Sequence, residues 1–399
     1  MARTVAAVAA ARTGEERAVS LSGYFTPPPR QAVAYGQPIA TALPAELDKL
    51  GATRVVLVTT NSLSKAGGLA AQVEAAIGAR CLARVTGIGA HSPRSDVLRI
   101  VAALRATAAD AVVGFGGGSV TDATKVARQC LTNDINTIDD FDRLRVPATG
   151  AAPSLPFIMI PTTLSAGEFT QFAGVTDERV PRKELYLHPQ LAPGVVILDP
   201  ALTVATPPRL WYSTGIRAVD HAVESWCSSN VTAMVEASSL HALRLLTSGL
   251  RGCLANPQDL DTRLQCQLGS WLSILGVSTF VDLGASHGIG HVLGGTAGMP
   301  HGETSCVMLP HILRHNLSVN GPRQRALAAA MGAPETPAAD LVQQLVADLG
   351  LPGRLRDAQV PRALLPTIAE EAMHDLWVKT NPRPIPGPAT VLELLEAAW

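Results

Sequence analysis

Short apolar segments alternate with segments of helical periodicity in the first half of the chain, and this alternation constrains the fold most strongly. The segments 54–59, 82–89 and 157–163 have the composition of buried strands. Between them, 95–110 carries apolar residues on one helical side, and 111–129 has the pattern strand, glycine turn, helix. Strands that alternate with helices predict a parallel, doubly wound sheet.

From about residue 202 onward, helical periods replace this alternation. The helices are predicted within 232–254, 262–279, 324–331, 337–350 and 391–399. At 399 residues the chain is longer than one hydrophobic core usually holds. We therefore predict a flexible leader over 1–24, an α/β domain over 25–201 and an all-α helical-bundle domain over 202–399. The cleft between the two domains is the expected ligand site.

Composition and charge exclude several classes of partner. A net charge of -1 and 4% aromatic residues argue against nucleic acid and against an anionic membrane. No apolar run approaches the length of a membrane span. The six cysteines are scattered without a CxxC pair, which is typical of reduced thiols in a cytoplasmic protein. The leader has too short an apolar stretch for a signal peptide.

The glycine turn in the first half of the chain has the features of an anion-binding site. Gly116, Gly117 and Gly118 remove every Cβ from the turn, so backbone N–H groups can approach an anion closely. Ser119 is expected to cap the next helix, with Asp122 three residues on in an S-x-x-D box. The helix N-terminus behind the turn would suit a pyrophosphate. A turn needed only for tight strand–helix packing is an equal alternative.

Two threonines support a nucleotide site. Thr162 and Thr163 stand at the end of an apolar strand, where ligands of open α/β sheets bind. Their hydroxyls could bind a ribose or a nicotinamide amide, although ordinary strand-end threonines are the alternative.

Histidines in the second half carry the strongest functional signal. His287 and His291 are four residues apart on one helical face, and His301 follows a loop of glycines and Pro300. Arg217 and His221 share the same spacing on an earlier helix. Imidazoles brought together in this way could bind a divalent metal or donate a proton near neutral pH.

These motifs together resemble the iron-containing alcohol dehydrogenase superfamily, from about residue 30 to the end of the chain. The matching pieces are GGGSVTDATK, PTT, LDP, GIRAVDHAVE, and H-x3-H-x9-H with HGE following. The resemblance implies a dehydroquinate synthase-like fold, with a Rossmann-like first domain that binds NAD(P). It implies that the glycine turn holds the pyrophosphate. It places the cofactor contacts on Thr60, Gly116, Gly117, Gly118, Ser119, Asp122, Thr162, Thr163, Leu164 and Lys183.

Metal-dependent members of that superfamily bind a divalent ion with one aspartate and three histidines. The histidines fall on His221, His287 and His301, and His291 matches a nearby histidine of the catalytic site. The aspartate falls on Arg217. A guanidinium about 4 Å from a divalent ion would be repelled by about 8 kcal/mol at an effective dielectric constant of about 20.

We therefore predict that Arg217 replaces the metal, and that it polarises a carbonyl oxygen or anchors a substrate carboxylate. Asp220 is expected on a different side of the helix and is not a substitute ligand. The alternative for Arg217 is a structural salt bridge to Asp220 or Glu224.

One branch of the superfamily, the maleylacetate reductases, also lacks the aspartate and works without metal. The segments 89–93 and 381–399 resemble that branch, which usually carries Asn where Arg217 stands. The predicted function is metal-independent reduction of an enoic or keto carboxylate by NAD(P)H. The predicted catalytic residues are Arg217, His221, His287, His291 and His301.

Three alternatives remain open. One is a metal-dependent alcohol dehydrogenase that uses His221, His287 and His301 alone. The others are a non-redox lyase or cyclase on the same scaffold and a non-catalytic nucleotide-binding protein. Thr60 stands where NAD-selective relatives carry Asp, so NADPH is expected to be tolerated. A homodimer is the expected assembly.

Overall fold

The computed structural model describes residues 24–65, 68–146, 150–180 and 182–399. The predicted leader, apart from its last residue, lies outside the described residues. The strands all lie in the first half: β1 Ala32–Tyr35, β2 Val55–Thr59, β3 Cys81–Val85, β4 Ala111–Gly116, β5 Phe157–Pro161, β6 Phe172–Asp177, β7 Arg182–Leu187 and β8 Val195–Leu198. The helices of this domain are α1 Ile39–Leu50, α2 Leu69–Ile77, α3 Arg94–Ala106 and α4 Gly118–Thr132.

Six strands form one parallel sheet in the order β1-β8-β5-β4-β2-β3. The chain runs from β2 outward to β3 and then returns to the other side of β2 for β4. This reversal opens a crevice between the carboxyl ends of β2 and β4, the usual ligand position in a doubly wound sheet. Apolar clusters cover both faces of the sheet, as its uninterrupted buried strands require. The predicted doubly wound sheet is confirmed.

The antiparallel hairpin β6–β7 was not predicted. It stands apart from the main sheet, with Phe172 paired to Leu187 and Asp177 paired to Arg182. Arg94, at the start of α3, is fully buried and contacts both strands, through Asp177 at 3.2 Å and Glu184 at 2.6 Å. One cation therefore fixes the hairpin to the α/β domain.

Helices make up the second half. They are α5 Pro208–Cys227, α6 Ala233–Ala255, α7 Leu260–Ser273, α8 Leu275–Ser278, α9 Ala285–Ala297, α10 His301–Ala330, α11 Ala338–Asp348, α12 Leu365–Ala372, α13 Leu376–Lys379 and α14 Pro388–Ala397. The change from strands to helices falls between Leu198 and Pro208, around a short 3₁₀ helix at Pro200–Thr203.

Helix α5 lies at the centre of this domain. Its residues from Gly215 to Cys227 are buried on every side, as expected of a helix enclosed by others. The segment predicted as one helix over 262–279 is two helices, α7 and α8, and α10 bends at Asn320. In the part of the chain that the structure describes, no helix combines the length and apolarity needed to cross a bilayer.

Candidate active site

Four ionisable side chains project from one face of α5 into the helical domain. Asp220, His221 and Glu224 follow Arg217 by three, four and seven residues, and the helical repeat brings such positions to the same face. All four are buried, and Arg217 is only 3% exposed. The expectation that Asp220 faces away from Arg217 is wrong, because Arg217 Nη1 lies 3.9 Å from Asp220 Oδ2. Positions three apart are neighbours on a helix, so the two side chains meet.

Glu224 joins α5 to the N-terminus of α9. Its carboxylate accepts hydrogen bonds from the backbone N–H groups of Gly284 at 3.0 Å, Ser286 at 2.9 Å and His287 at 3.2 Å. A negative charge at this position satisfies the free N–H groups of the helix end and complements its dipole. The same carboxylate lies 2.8 Å from Nδ1 of His287. Glu224 therefore fixes both the helix and the ring that the helix carries.

Asp220 connects three helices. Its Oδ2 accepts hydrogen bonds from Ser286 Oγ at 2.8 Å and Ser305 Oγ at 2.6 Å, and lies 3.3 Å from His287 Nδ1. Arg217 Nη1 donates to the same hydroxyl of Ser305, at 3.0 Å. The structure therefore contains the salt bridge between Arg217 and Asp220 that is the structural alternative for Arg217.

The two inner imidazoles differ in their electrostatics. Burial and Arg217 lower the pKa of His287, but Asp220 and Glu224 outweigh them, so its pKa lies above the usual value. Burial, followed by the charges of His287 and Arg217, lowers the pKa of His221 well below the usual value. The rings stack at 4.9 Å. The pKa values of the two neighbouring rings are therefore shifted in opposite directions, and His287 binds a proton more readily than His221.

Two further imidazoles lie at the open end of the cluster. His291, on α9, is 37% exposed, and His301 is exposed at the start of α10. The two rings are nearly parallel, with centroids 5.6 Å apart. Trp377 packs against both His287 and His291, at 5.7 and 4.8 Å. The structure therefore brings together Arg217 and all four predicted histidines.

Three side chains of this cluster, all of them described residues, lie close enough together to share a metal ion. Asp220, Glu224 and His287 offer ligand atoms within 4.8 Å of one another, but these atoms are already joined by hydrogen bonds. The predicted trio of His221, His287 and His301 does not form such a group among the described residues.

Several residues of the site were missed by the sequence analysis, namely Ser286, Ser305, Asp375 and Trp377; Asp220 and Glu224 were considered only as partners of Arg217. The spacing of Arg217, Asp220 and Glu224 could have identified the acidic pair. The other residues become neighbours only through tertiary packing.

The predicted cofactor residues lie at the carboxyl edge of the sheet. Thr60 follows β2, the turn Gly116–Gly118 joins the end of β4 to the start of α4, and Thr162 follows β5. Among the described residues, no side chain caps α4, so its first N–H groups remain available to an anion. The turn also packs closely, because a Cβ on Gly117 would lie 2.9 Å from Thr163 Cγ2. Both interpretations of the glycine turn are therefore consistent with the geometry.

The predicted capping box is wrong. Helix α4 begins at Gly118, so Ser119 lies inside the first turn, and its Oγ accepts a hydrogen bond from His91 N at 3.1 Å. Asp122 accepts a hydrogen bond from Gly174 N at 3.1 Å and lies 3.7 Å from Lys183 Nζ. Both residues fasten neighbouring segments to α4. Their contacts with a cofactor stay predictions.

The remaining cofactor candidates have different environments. Lys183 is half exposed on the hairpin. Thr163 shares a hydrogen bond with Ser165, with their hydroxyl oxygens 3.1 Å apart. Leu164 is fully buried in the apolar core of the helical domain, and its N–H and C=O are bonded to Thr214 and Ser270. Leu164 is thus placed for packing, and its cofactor contact stays an untested prediction.

Comparison with protein families matches nearly the whole chain. Residues 29–200 match the iron-containing alcohol dehydrogenase family, and residues 212–399 match the C-terminal region of the Fe-containing alcohol dehydrogenase family. The chain belongs to the iron-containing alcohol dehydrogenase family. It is accordingly an oxidoreductase, which confirms the resemblance and the enzyme class inferred from the motifs.

Members of the family with different substrates are similar to this chain. Dehydrogenase FUM7 of Gibberella moniliformis is 32% identical over 88% of this chain and 92% of its own length. Lactaldehyde reductase of Escherichia coli is 30% identical, covering 92% and 97%. The crystal structure of maleylacetate reductase from Agrobacterium tumefaciens is 25% identical, with a TM-score of 0.81 and coverage of 95% and 99%. Reductases and dehydrogenases therefore share this architecture, which confirms the predicted fold class.

Proposed function

We propose that this family member is an NAD(P)H-dependent reductase of an enoic or keto carboxylate and that it works without a metal. The observation that carries the proposal is the buried guanidinium of Arg217, which lies beside Asp220 and close to the imidazoles of the cluster. The resemblance to the family assigns the metal-binding aspartate of other members to this position. The similarity to a maleylacetate reductase agrees with a carboxylate substrate.

The residues around Arg217 do not fit a divalent ion. The carboxylates of Asp220 and Glu224 already have partners on the protein: Arg217 Nη1 lies 3.9 Å from Asp220, and His287 Nδ1 lies 2.8 Å from Glu224. An additional double positive charge would be repelled by the guanidinium, which keeps its proton. The two carboxylates are therefore engaged by protein side chains, and the fixed charge beside Asp220 is a cation.

Residues at the sheet edge fit a dinucleotide. When bound, NAD(P)H supplies the hydride that reduces the substrate. The uncapped N-terminus of α4 and the Cβ-free turn Gly116–Gly118 would hold the pyrophosphate. A carboxylate at the end of β2 would repel the 2′-phosphate of NADPH. Because Thr60 stands at this position, we propose that NADPH is tolerated.

His287 is the residue best placed to supply the proton. Glu224 and Asp220 hold its Nδ1, so the ring's other nitrogen, Nε2, is free to act. Nε2 has no hydrogen-bond partner among the residues that the structure describes. We propose that it protonates the substrate while the positive charge of Arg217 stabilises the developing oxyanion or the carboxylate.

A charge reversal at residue 217 tests the metal-free proposal. Arg217→Asp restores the carboxylate of metal-dependent relatives and places a third negative charge beside Asp220 and Glu224. We expect added Zn²⁺ or Fe²⁺ to raise the Tm of Arg217→Asp but not that of the wild type. Freshly purified wild type should contain well under one metal per chain and should oxidise NAD(P)H with a keto-dicarboxylate.

The control is Arg217→Met, which keeps an unbranched stem and removes the charged guanidinium. Its kcat/KM should fall by a factor that corresponds to a loss of about 2–4 kcal/mol of transition-state stabilisation, the scale for losing one oxyanion donor. An unchanged rate would remove Arg217 from the reaction. About one metal per wild-type chain, with activity lost to a chelator, would overturn the metal-free proposal.

One observation favours a metal-dependent alcohol dehydrogenase as the second candidate. His221 Nδ1 and His287 Nε2 are both buried without a hydrogen-bond partner among the described residues. Such nitrogens could bind an ion if the guanidinium moved away. The metal content of the wild type separates the two candidates.

A further inference from the structure

His291 is held by a carboxylate from a distant part of the chain. Its Nδ1 lies 2.9 Å from Oδ2 of Asp375, which immediately precedes α13. The ring is also confined on two sides, by the parallel ring of His301 and by the indole of Trp377. Its position at the open end of the cluster is therefore fixed by three residues, two at the start of α13 and one at the start of α10.

The second oxygen of Asp375 has a structural task. Asp375 Oδ1 accepts a hydrogen bond from the backbone N–H of Trp377 at 2.8 Å and so caps α13. Gly288 on α9 allows this close approach, since a Cβ there would lie 3.0 Å from Oδ1 and 2.7 Å from the backbone of Val378. One carboxylate thus fixes the end of α13 and the imidazole that faces it.

The contact determines which nitrogen of His291 carries the proton. An ionised carboxylate only accepts hydrogen bonds, so the nitrogen next to it must be the donor. In the neutral ring, Nδ1 then carries the hydrogen and Nε2 presents a lone pair. A ring held in one tautomer is preorganised for proton transfer, whereas a free ring is divided between two.

We propose that Asp375 is a positioning residue that holds His291 in the Nδ1–H tautomer, with Nε2 directed to the reacting end of the site. The proposal rests on the proposed function in one respect, because it takes His291, one of the catalytic residues predicted from sequence, to act in that reaction. Asp375 acts through the imidazole and through the cap of α13.

The substitution Asp375→Asn separates the two tasks. The amide oxygen can still cap α13, because Asn is as good an N-cap as Asp. The amide nitrogen would then donate to His291 Nδ1 and force the opposite tautomer. At about pH 8 the His291 ring is neutral. We expect its ¹⁵N shifts to show the hydrogen on Nδ1 in the wild type and on Nε2 in Asp375→Asn. The kcat should fall roughly 10- to 100-fold with KM little changed.

Two further variants control for the cap. Asp259→Asn makes the same substitution at the N-cap of α7, where Asp259 accepts hydrogen bonds from two backbone N–H groups, and should leave kcat unchanged. Asp375→Ser keeps a capping hydroxyl but cannot reach the ring, and should give a mixture of tautomers.

The outcomes are distinguishable. A wild-type His291 protonated on Nε2, or an unchanged tautomer in Asp375→Asn, would overturn the proposal. So would a reversed tautomer with an unchanged kcat. If the wild type reduces no keto or enoic acid, the proposed function fails, while the ¹⁵N spectrum still decides what Asp375 does.

Discussion

Ser305 is the residue that holds opposite charges in one fixed arrangement. Its hydroxyl oxygen accepts from Arg217 while its hydrogen is donated to Asp220, at 3.0 and 2.6 Å. A hydroxyl is the side-chain group that can accept from a cation and donate to an anion at once. Because both charges are buried, neither can replace this partner with bulk water.

Replacing Ser305 with alanine should therefore be costly. We expect Ser305→Ala to lower the free energy of unfolding by about 2–3 kcal/mol, because it deprives two buried charged groups of a hydrogen bond. Ser270→Ala is the control and should cost about 1 kcal/mol, since the Ser270 hydroxyl donates to an uncharged group, the backbone carbonyl of Leu164. Urea unfolding of the three proteins measures the difference, and equal losses would contradict this role of Ser305.

At the scale of elements, the approach of α9 to α10 depends on one glycine. A Cβ on Gly290 would lie 2.8 Å from Thr304 Oγ1 and 3.7 Å from Arg217 Nη1. The two helices can therefore bring their histidines to the same end of the cluster only because this position has no side chain.

Two glycine substitutions on α9 test that contact. Gly290→Ala should lower the free energy of unfolding by about 1–3 kcal/mol, because the new methyl group overpacks the interface. Gly295→Ala is the matched control on the same helix, where a Cβ would meet nothing within 4 Å. It should stabilise by up to about 1 kcal/mol through helix propensity. The prediction fails if thermal unfolding shows that both variants are less stable than the wild type, or that both are more stable.

The elements also show what could be predicted from sequence. Strands β2, β4 and β5 are buried on both faces and therefore have continuous apolar runs that are recognisable in isolation. The hairpin β6–β7 was missed because β7 is rich in charged residues, and the buried partner of Glu184 is Arg94, which precedes it by 90 residues.

The site followed the same rule. Helical spacing identified Arg217, His221, His287 and His291, and the loop of glycines and Pro300 identified His301. The contacts of Ser305 and Asp375 connect segments about 85 residues apart, which no local pattern reports.

At the scale of the whole molecule, stability in acid should depend on the charged hairpin. Hydrogen bonds from Arg179 lower the pKa of Asp177 to about 2, with Arg94 also contributing, against the opposing effect of burial. A pKa lowered in the folded state stabilises the protein above the unfolded-state value near 4, and this stabilisation is lost as the pH falls towards 2.

The substitution Asp177→Asn should therefore reduce stability near neutral pH by about 2 kcal/mol and flatten its decline between about pH 4 and pH 2. Asp134→Asn is the control, because the Asp134 side chain is 92% exposed, and should follow the wild type. Denaturant midpoints measured from pH 7 to pH 2 provide the test. A decline in Asp177→Asn as steep as that of the wild type would contradict it.

The distance along the chain between His291 and Asp375 also has a consequence for biosynthesis. The carboxylate that orients this ring is translated 84 residues after the ring itself. During synthesis the α/β domain can fold while the ribosome is still producing the helices, but the reaction centre cannot be completed. A polypeptide that stops before residue 375 would contain strands β1 to β8 but would lack both the carboxylate that holds His291 and helices α13 and α14.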